Sequence, residues 1–529
     1  DSWERFITDT RRTYRREGIF TPAVEDIISH TMMSNDEKIL SLLKTYFEPD
    51  DYFLVYKRMI GTGCIGGKAC GMLLARKIIQ KDNPEAFALM EPHDSYYLGS
   101  DVFYTYIVHN KFWRLHIHQK TKQGYFKLAP QLEQAFLSGS FPEAIRLQFI
   151  RMLEYFGQRP IIVRSSSLQE DAFGNAFAGK YESVFCINTG TMDERLTELE
   201  NAVRTVYAST MNTSALEYRR QRGLGFKDEQ MALLIQRVSG SMYEDFLMPN
   251  AAGVGYSYSA YKWDDSIDAS DGMLRLVMGL GTRAVDRTEG DYPRIVNLSA
   301  PERSTLTESW AKHQYSQRYV DLMDYTTKSL SSRPLKDVTP YMDSWYKKLV
   351  LEHDSDAERT FRERGQRREI LFASCEGLVR NTEFTGCMKS LLHTLQQAYQ
   401  YPVDIEFTIN GTDTGEFVFN LLQCRPLQVG TRRDAVTVPS LPEDKTVFSV
   451  TGSSMGGSRA EDIDYVVFVD SRAYYEFPYK RKPDIAHIIG DINHHFRKSN
   501  QNLLLFVPGR IGTSSPELGV PVSFAAINQ

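Results

Sequence analysis

Two apolar segments constrain the fold of this chain more than any other feature. They are VDIEFTIN at residues 403–410 and FNLLQCRP at residues 419–426. The Asn-Gly and Asp-Thr-Gly turn residues between them predict a β-hairpin. Because side chains alternate along a strand, Asp404 and Glu406 share one face of the first predicted strand.

The second predicted strand carries Gln423 and Arg425 on one face by the same rule. Two acids, an amide and a guanidinium that converge in this way are costly to bury without a partner. A magnesium ion bound to phosphate would satisfy all of them, with oxygen ligands from Glu406 and Gln423 and with Arg425 on the phosphate. A salt bridge between the paired strands is the alternative that the residues leave open.

A second polar cluster lies in VRSSSLQEDAFGNAFAGKYESV, residues 163–184. A β-branched run predicts a strand that delivers Arg164 into three serines, and two acids and a glycine- and alanine-rich stretch follow. An arginine held beside hydroxyl donors suits a polyphosphate, and a glycine-rich loop can close over a nucleotide. A surface loop with a structural arginine is the alternative.

Two further stretches fit a nucleotide site less specifically. GTGCIGGKACG, residues 61–71, predicts a glycine-rich loop before a helix, whose N–H groups and Lys68 can cradle phosphate. It lacks the order of a Walker A loop, and a flexible turn before a helix is the alternative. The strand LIQRV, residues 234–238, is either a contact for adenine near Gln236 or an ordinary core strand.

Composition excludes several classes of protein. The 529 residues predict two to four lobes, and the net charge of -5 with mixed signs argues against a nucleic-acid surface. No apolar run reaches the roughly 18–20 residues that span a bilayer, and the N-terminus carries no secretory signal. Six cysteines predict reduced, buried thiols in a cytoplasmic protein. The start at Asp1 and the strand-like run before the end predict a fragment of a longer protein.

The motifs together resemble the pyruvate phosphate dikinase and phosphoenolpyruvate synthase family. GGKACGM is similar to its glycine-rich loop, and VRSSSLQEDAFGNAFAGKYES is similar to its Arg-Ser-Ser segment. MALLIQRV lies where that family has a Val-Gln-Arg/Lys-Met-Val strand, and DIEFTI with LLQCRP is similar to its last motif. The four motifs follow the family's order across roughly residues 56–428.

This resemblance implies an ATP-grasp fold of the dikinase type, in the α+β or α/β class, that binds ATP and Mg²⁺. It implies phosphate contacts from Lys68 and Arg164. It implies that Glu406 and Gln423 hold the metal and that Asp404 supports that site. Arg425 would stabilise charge on the transferring phosphate, so the expected catalytic residues are Arg164, Arg425 and Lys68.

We expect four parts along the chain. A helical segment covers residues 1–55, and the first lobe covers residues 56–230. The second lobe covers residues 231–430, with a helical insertion at about 301–365. A small α/β module covers residues 446–529.

Two departures from the family pattern affect these expectations. Thr282 stands where the family commonly has the acid of Gly-Leu-Gly-Glu, so Glu289, Asp291 or Arg294 would have to replace it. The chain also shows no histidine-bearing carrier domain and no pyruvate-binding barrel. His494 and His495 lack a glycine-rich setting, so we expect a solvated or core role for them.

The expected function is an ATP- and Mg²⁺-dependent phosphotransferase, or the ATP-binding part of a dikinase-like enzyme. The acceptor would be a histidine on a separate or missing carrier domain, or a small molecule. Two alternatives stay open: a nucleotide-binding regulatory module with little turnover, and an ATP-grasp ligase. We expect no nucleic-acid or membrane partner.

Overall fold

The structure, a computed structural model, describes most of the chain. The described residues are 2–170, 179–259, 261–262, 267–285, 290–304, 306, 308–412, 414, 416–427, 442–447, 454–455, 461–496, 501–509, 511–513, 517–522 and 527. They belong to two compact units. The first is Asp1–Val429 with Thr451–Met455, and the second is Gly430–Val450 with Gly456–Gln529.

The described residues form many short and medium helices. In chain order these are α1 (Ser2–Glu17), α2 (Pro22–Ile28), α3 (Glu37–Tyr46), α4 (Pro49–Lys57), α5 (Gly67–Asp82), α6 (Pro84–Ala88), α7 (Ser100–His109), α8 (Trp113–Gln119), α9 (Ala129–Ser138), α10 (Glu143–Phe156), α11 (Met192–Ser209), α12 (Thr213–Gln221), α13 (Thr282–Val285), α14 (Ser309–Gln314), α15 (Leu335–Val338), α16 (Ser344–Val350), α17 (Ser355–Glu363), α18 (Glu376–Arg380), α19 (Thr382–Tyr399), α20 (Ser471–Glu476) and α21 (Lys482–Phe496).

The strands are also mostly short. In chain order they are β1 (Met59–Ile60), β2 (Ser95–Leu98), β3 (Ile161–Ser167), β4 (Ser183–Cys186), β5 (Met231–Arg237), β6 (Ser241–Tyr243), β7 (Phe246–Met248), β8 (Ala251–Tyr256), β9 (Tyr261–Lys262), β10 (Met273–Met278), β11 (Arg294–Asn297), β12 (Tyr319–Asp324), β13 (Ser329–Pro334), β14 (Leu351–His353), β15 (Leu371–Ala373), β16 (Val403–Gly411), β17 (Phe417–Pro426), β18 (Ser454–Met455), β19 (Tyr465–Phe468) and β20 (Leu503–Phe506).

Three sheets organise the first unit. The first sheet has the order β1-β2-β5-β3-β4, the second β11-β10-β8-β16-β17, and the third β13-β12-β7-β6. Apart from the parallel pair β1 and β2, the pairs in these sheets are antiparallel. This mixed architecture of helices and sheets agrees with the predicted α+β class.

Each of the first two sheets packs against apolar helices. Behind the first sheet, aromatic residues of α7, α9, α10 and α11 form a core that includes Phe103, Phe136, Phe149 and Tyr207. Helix α5 is mostly buried, and it joins a second core with α19 and the hairpin β16–β17. Burial of these side chains is the main term that holds the sheets in place.

The segment 301–365 differs from the expected helical insertion. It contains β12, β13 and β14 as well as four α-helices. Strand β12 pairs with β7 at Met323 and Leu247, so the segment completes the third sheet. The polar composition of this segment did not predict the strands, because β13 is largely exposed.

The second unit contains a small α/β arrangement. Strands β19 and β20 pair in parallel, and α20 and α21 lie between them in the chain. Tyr474, Ile489, Val520 and Val522 form its buried centre.

Two expectations from composition can be compared with the described residues. In that part of the chain, no helix is long and apolar enough to cross a membrane. The six cysteines are free, and all except Cys387 are buried. Burial raises the pKa of the Cys64 thiol to about 11, which agrees with an unreactive role.

Helix α5 starts where the chain passes very close to the end of strand β3. Gly66 has a φ of 82°, and a Cβ there would lie 1.4 Å from the carbonyl oxygen of Ser166. A Cβ on Gly67 would lie 1.8 Å from the carbonyl oxygen of Glu170. The two glycines are therefore needed for this close approach, which brings Lys68 to the end of β3.

We predict that Gly66→Ala lowers the free energy of unfolding by about 3 kcal/mol, because the new Cβ overlaps backbone at a positive φ. Scanning calorimetry of the purified chain measures the change. Gly386→Ala is the matched control, since no atom lies within 4 Å of its Cβ. Alanine there should stabilise helix α19 by about 0.5–1 kcal/mol. Equal stability of the Gly66 variant and the wild type would contradict the packing of this loop.

Candidate functional site

A cavity of about 620 Å³, here called the central cavity, lies between the first and second sheets. Strands β3, β4 and β5 form one wall, and β8, β16 and β17 form the other. Six of the seven predicted site residues line it: Lys68, Arg164, Gln236, Glu406, Gln423 and Arg425.

Lys68 is held at the edge of this cavity by an acid and a serine. Its Nζ lies 3.3 Å from Ser165 Oγ and 3.5 Å from Glu170 Oε1. Glu170 in turn accepts hydrogen bonds from Ser165 Oγ at 2.9 Å and from the amide of Ser167 at 2.8 Å. The ammonium group is therefore fixed in place rather than mobile.

Arg164 reaches across the cavity from β3 to the hairpin β16–β17. Its Nη2 donates to Glu406 Oε2 and, at 2.9 Å, to Gln423 Oε1. Glu406 and Gln423 are directly opposite each other on the paired strands. Since one nitrogen donates to both oxygens, these two acceptors of the hairpin converge on a single point. The strand alternation predicted this convergence.

The hairpin is irregular just beside this point. The register shifts between Glu406 and Phe407, which leaves Leu422 without an opposite residue. The carbonyl oxygen of Leu422 accepts from Arg164 Nη1 at 3.4 Å. The bulge therefore supplies a third acceptor for the guanidinium group.

Asp404 and Arg425 form the salt bridge that the sequence left as an alternative. Arg425 donates from Nε to Asp404 Oδ1 at 2.7 Å and from Nη2 to Oδ2 at 2.9 Å. Asp404 itself is not among the residues that line the cavity. In this geometry Asp404 orients Arg425, which does line it.

The surrounding charges keep Glu406 ionised. Burial acts to raise the pKa of its carboxyl, but the positive charges of Arg164, Lys68 and Arg425 outweigh burial and hold the pKa below its usual value. A carboxylate in this state is an acceptor only. It is suited to bind a cation.

Several buried polar atoms in the cavity wall have no partner among the described residues. They are Arg164 Nε, Gln236 Oε1 and Thr408 Oγ1. Leaving such an atom unsatisfied costs about 1–3 kcal/mol. A bound polar molecule that reached all three would remove this cost.

The glycine-rich loop differs from the predicted phosphate cradle. The amides of Thr62 and Gly63 donate to the carboxylate of Asp101, at 3.0 and 2.8 Å. The amide of Cys64 donates to Ser100 Oγ, and that of Ile65 to the carbonyl of Met32. An internal carboxylate and neighbouring oxygens therefore already satisfy this part of the loop.

The strand around Gln236 has backbone amides that are already paired. The amides of Arg237 and Val238 donate to the carbonyl oxygens of Asp94 and Pro160, so they are not free for a base. The side chain of Gln236 lines the cavity instead, with Nε2 donating to Met72 Sδ at 3.1 Å.

The loop around Thr282 holds an acid that sequence reasoning missed. Thr282 Oγ1 donates to Asp321 Oδ2 at 2.6 Å, and both residues line the cavity. Asp321 lies on β12, inside the segment predicted as an insertion, and no motif marked it. Asp291, one of the three residues expected to replace the acid at Thr282, forms an ion pair with Arg283.

Of the other two candidates for this position, the structure describes Arg294. Arg294 pairs with Glu376 and does not line the cavity. Glu289 lies outside the described residues.

The two histidines of the second unit lie on helix α21. His495 is exposed, beside the ring of Phe496. The side chain of His494 lies outside the described residues.

Comparison with protein families decides what kind of domain this is. The family model for the AMP/ATP-binding domain of pyruvate phosphate dikinase matches residues 62–445 of the 529. The chain belongs to this family. No curated protein matches it significantly.

Membership in the pyruvate phosphate dikinase family confirms the resemblance that the motifs indicated. The family's domain binds AMP and ATP and belongs to enzymes of the kinase or dikinase type. All seven predicted site residues fall within the matched range. The second unit lies almost entirely beyond it.

We predict a pH-dependent contribution of Glu406 to stability. The pKa of Glu406 in the folded protein lies below the usual 4.5. Its contribution to the free energy of unfolding is therefore fully present above pH 4.5, and it is lost as the pH falls through the folded pKa. The difference in free energy of unfolding between wild type and Glu406→Gln should therefore be constant near neutrality and shrink in acid. Urea unfolding across this pH range measures it. A difference that grows in acid would contradict the ion pair with Arg164.

Proposed function

We propose that the central cavity binds ATP with Mg²⁺ and that the chain transfers a phosphoryl group from it. One observation carries this proposal: Arg164 Nη2 contacts Glu406 Oε2 and Gln423 Oε1 at one point of the cavity wall. A cationic nitrogen stands there beside the hard oxygen donors that a metal would use. We also place the chain in the ATP-grasp fold, which the cavity between two sheets supports.

The donor set fits magnesium better than a transition metal. Among the described residues there is no group of three or more His, Cys, Asp or Glu that could enclose a metal ion. Mg²⁺ is commonly held by one or two protein oxygens, with water and phosphate oxygens completing its shell. Glu406 and Gln423 would hold it, and it would neutralise charge on the transferring phosphate.

The cations around this point have the roles that phosphoryl transfer requires. Lys68 and Arg164 bind the phosphates, and Arg425 stabilises charge that builds on the transferring group. Each is held by an acid, at Glu170, Glu406 and Asp404 respectively. These ion pairs keep the cations in the cavity wall, close to where the phosphates would bind.

The rest of the wall suits a nucleoside. Ile162, Phe185, Val238, Leu280 and Phe407 give it an apolar surface, against which a flat base can pack. The unpartnered Oε1 of Gln236 is an acceptor for the exocyclic amine of adenine.

The acceptor is either a histidine on a separate carrier domain or a small molecule. In either case a bond between a phosphorus of ATP and its bridging oxygen breaks, and a bond from that phosphorus to the acceptor's nitrogen or oxygen forms. When AMP is the nucleotide product, the α–β bridge breaks as the β-phosphorus goes to the acceptor, and the β–γ bridge also breaks, with water taking up the γ-phosphate as inorganic phosphate. Thr282, in place of an acid, favours the second candidate function, a regulatory nucleotide-binding module with little turnover. Ligase chemistry and a cytoplasmic location stay predictions.

Phosphorus NMR separates these functions. The chain is incubated with Mg²⁺ and ATP, with and without pyruvate and inorganic phosphate, the small molecules in the family's name. We expect Mg²⁺-dependent formation of AMP and phosphate, as in dikinase chemistry. ADP would indicate a kinase or ligase. Intact nucleotide that still raises the melting temperature would identify a regulatory module.

Matched variants link that chemistry to the central cavity. Arg164→Ala and Glu406→Gln should each abolish both the stabilisation by Mg²⁺ with ATP and the turnover. Arg195→Ala and Glu376→Gln are the controls, because both residues are buried in ion or hydrogen-bond networks away from the cavity lining. Stabilisation that survives in both cavity variants would refute the assignment.

A further inference from the structure

Asp321 places a carboxylate in the wall of the central cavity, beside the loop that follows β10. Its carbonyl oxygen accepts from the amide of Leu280 at 2.9 Å. Gly279 packs so tightly here that a Cβ would lie 2.7 Å from the same oxygen. The loop carrying Thr282 is therefore fixed against β12, and Asp321 is fixed with it.

The carboxylate of Asp321 is oriented by two donors from one side. Thr282 Oγ1 donates to Oδ2 at 2.6 Å, and Arg283 Nε donates to Oδ1 at 3.1 Å. Each carboxylate oxygen accepts about two hydrogen bonds. Each oxygen of Asp321 thus retains capacity for a second donor, and the side chain is 13% exposed at the cavity.

This acid is separated from the cationic end of the cavity. A Cβ on Gly281, next to Thr282, would lie 3.2 Å from the side chain of Ala252. Ala252 is paired with Thr408. Thr408 is two residues along β16 from Glu406, or roughly 7 Å. A molecule with phosphates near Glu406 that extends along β16 past Thr408 therefore approaches the loop that holds Thr282 and Asp321.

The chemistry of such a molecule at Asp321 is restricted. A carboxylate repels phosphate and accepts hydrogen bonds from neutral donors. Two adjacent hydroxyl groups offer one donor to each of its oxygens. The ribose of a nucleotide carries such a pair, whereas its triphosphate and base ring do not.

We propose that Asp321 accepts hydrogen bonds from the ribose hydroxyl groups and makes the cavity specific for ribonucleotides. This inference rests on the proposed binding of ATP. In this role Thr282 and Arg283 are positioning residues, since they orient the carboxylate. A ligand that lacks the hydroxyl groups leaves the carboxylate oxygens without these donors.

Calorimetric titration with ATP, 2′-deoxy-ATP and 2′,3′-dideoxy-ATP, each with Mg²⁺, tests the inference. Wild type should bind ATP roughly 10- to 100-fold more tightly than the dideoxy nucleotide, as expected for hydrogen bonds to a charged group. Asp321→Asn should lose most of this preference by weakening ATP binding, with dideoxy-ATP binding nearly unchanged.

Asp291→Asn is the matched control. Asp291 binds the same Arg283 but does not line the cavity, so this variant should retain the preference for ATP. Melting temperatures of both variants check that they fold. Equal loss of preference in both variants would overturn the inference in favour of a structural role.

Two other outcomes are distinguishable. Wild type that binds all three nucleotides equally well would overturn the role of Asp321 and leave the proposed function intact. Wild type that binds none of them would refute the proposed function, and this inference with it.

Discussion

The Arg164 guanidinium is a buried charge that links the first and second sheets across the central cavity. A buried cation is stable only with partners, and those of Arg164 come from the opposite sheet, at Glu406, Gln423 and the carbonyl of Leu422. Removal of the Glu406 charge would leave the buried guanidinium with neutral acceptors only, at Gln423 and Leu422, which costs about 3–5 kcal/mol.

Three of the cations that line the central cavity are each paired with one acid. Lys68 pairs with Glu170, Arg164 with Glu406, and Arg425 with Asp404. A nucleotide must therefore compete with internal carboxylates for these cations. A metal ion on Glu406 would replace the charge of Arg164 there and release the arginine for phosphate. Metal binding and nucleotide binding would then be coupled, since each would make the other more favourable.

Local patterns predicted much of this site but not its long-range contacts. The alternation in VDIEFTIN and FNLLQCRP predicted that Glu406 and Gln423 lie on converging faces of a hairpin, and the register of the strands pairs them directly. The partner of Glu406, Arg164, is 242 residues away in the chain, and only the family resemblance linked the two. Asp321 was missed because its strand looked like a polar insertion. The glycines at 61–67 predicted a phosphate cradle, because the sequence does not show that the Asp101 carboxylate already accepts from amides of that loop.

The central claim is that Glu406 and Gln423 hold the metal of a bound nucleotide, in the place where Arg164 now stands. A crystal structure of the chain with Mg²⁺ and a non-hydrolysable ATP analogue tests it most directly. We predict a metal ion coordinated by the Glu406 carboxylate and the Gln423 amide oxygen, with Arg164 moved from Glu406 to a phosphate. A nucleotide bound outside this cavity, or bound inside it with the Arg164–Glu406 ion pair intact, would contradict the account.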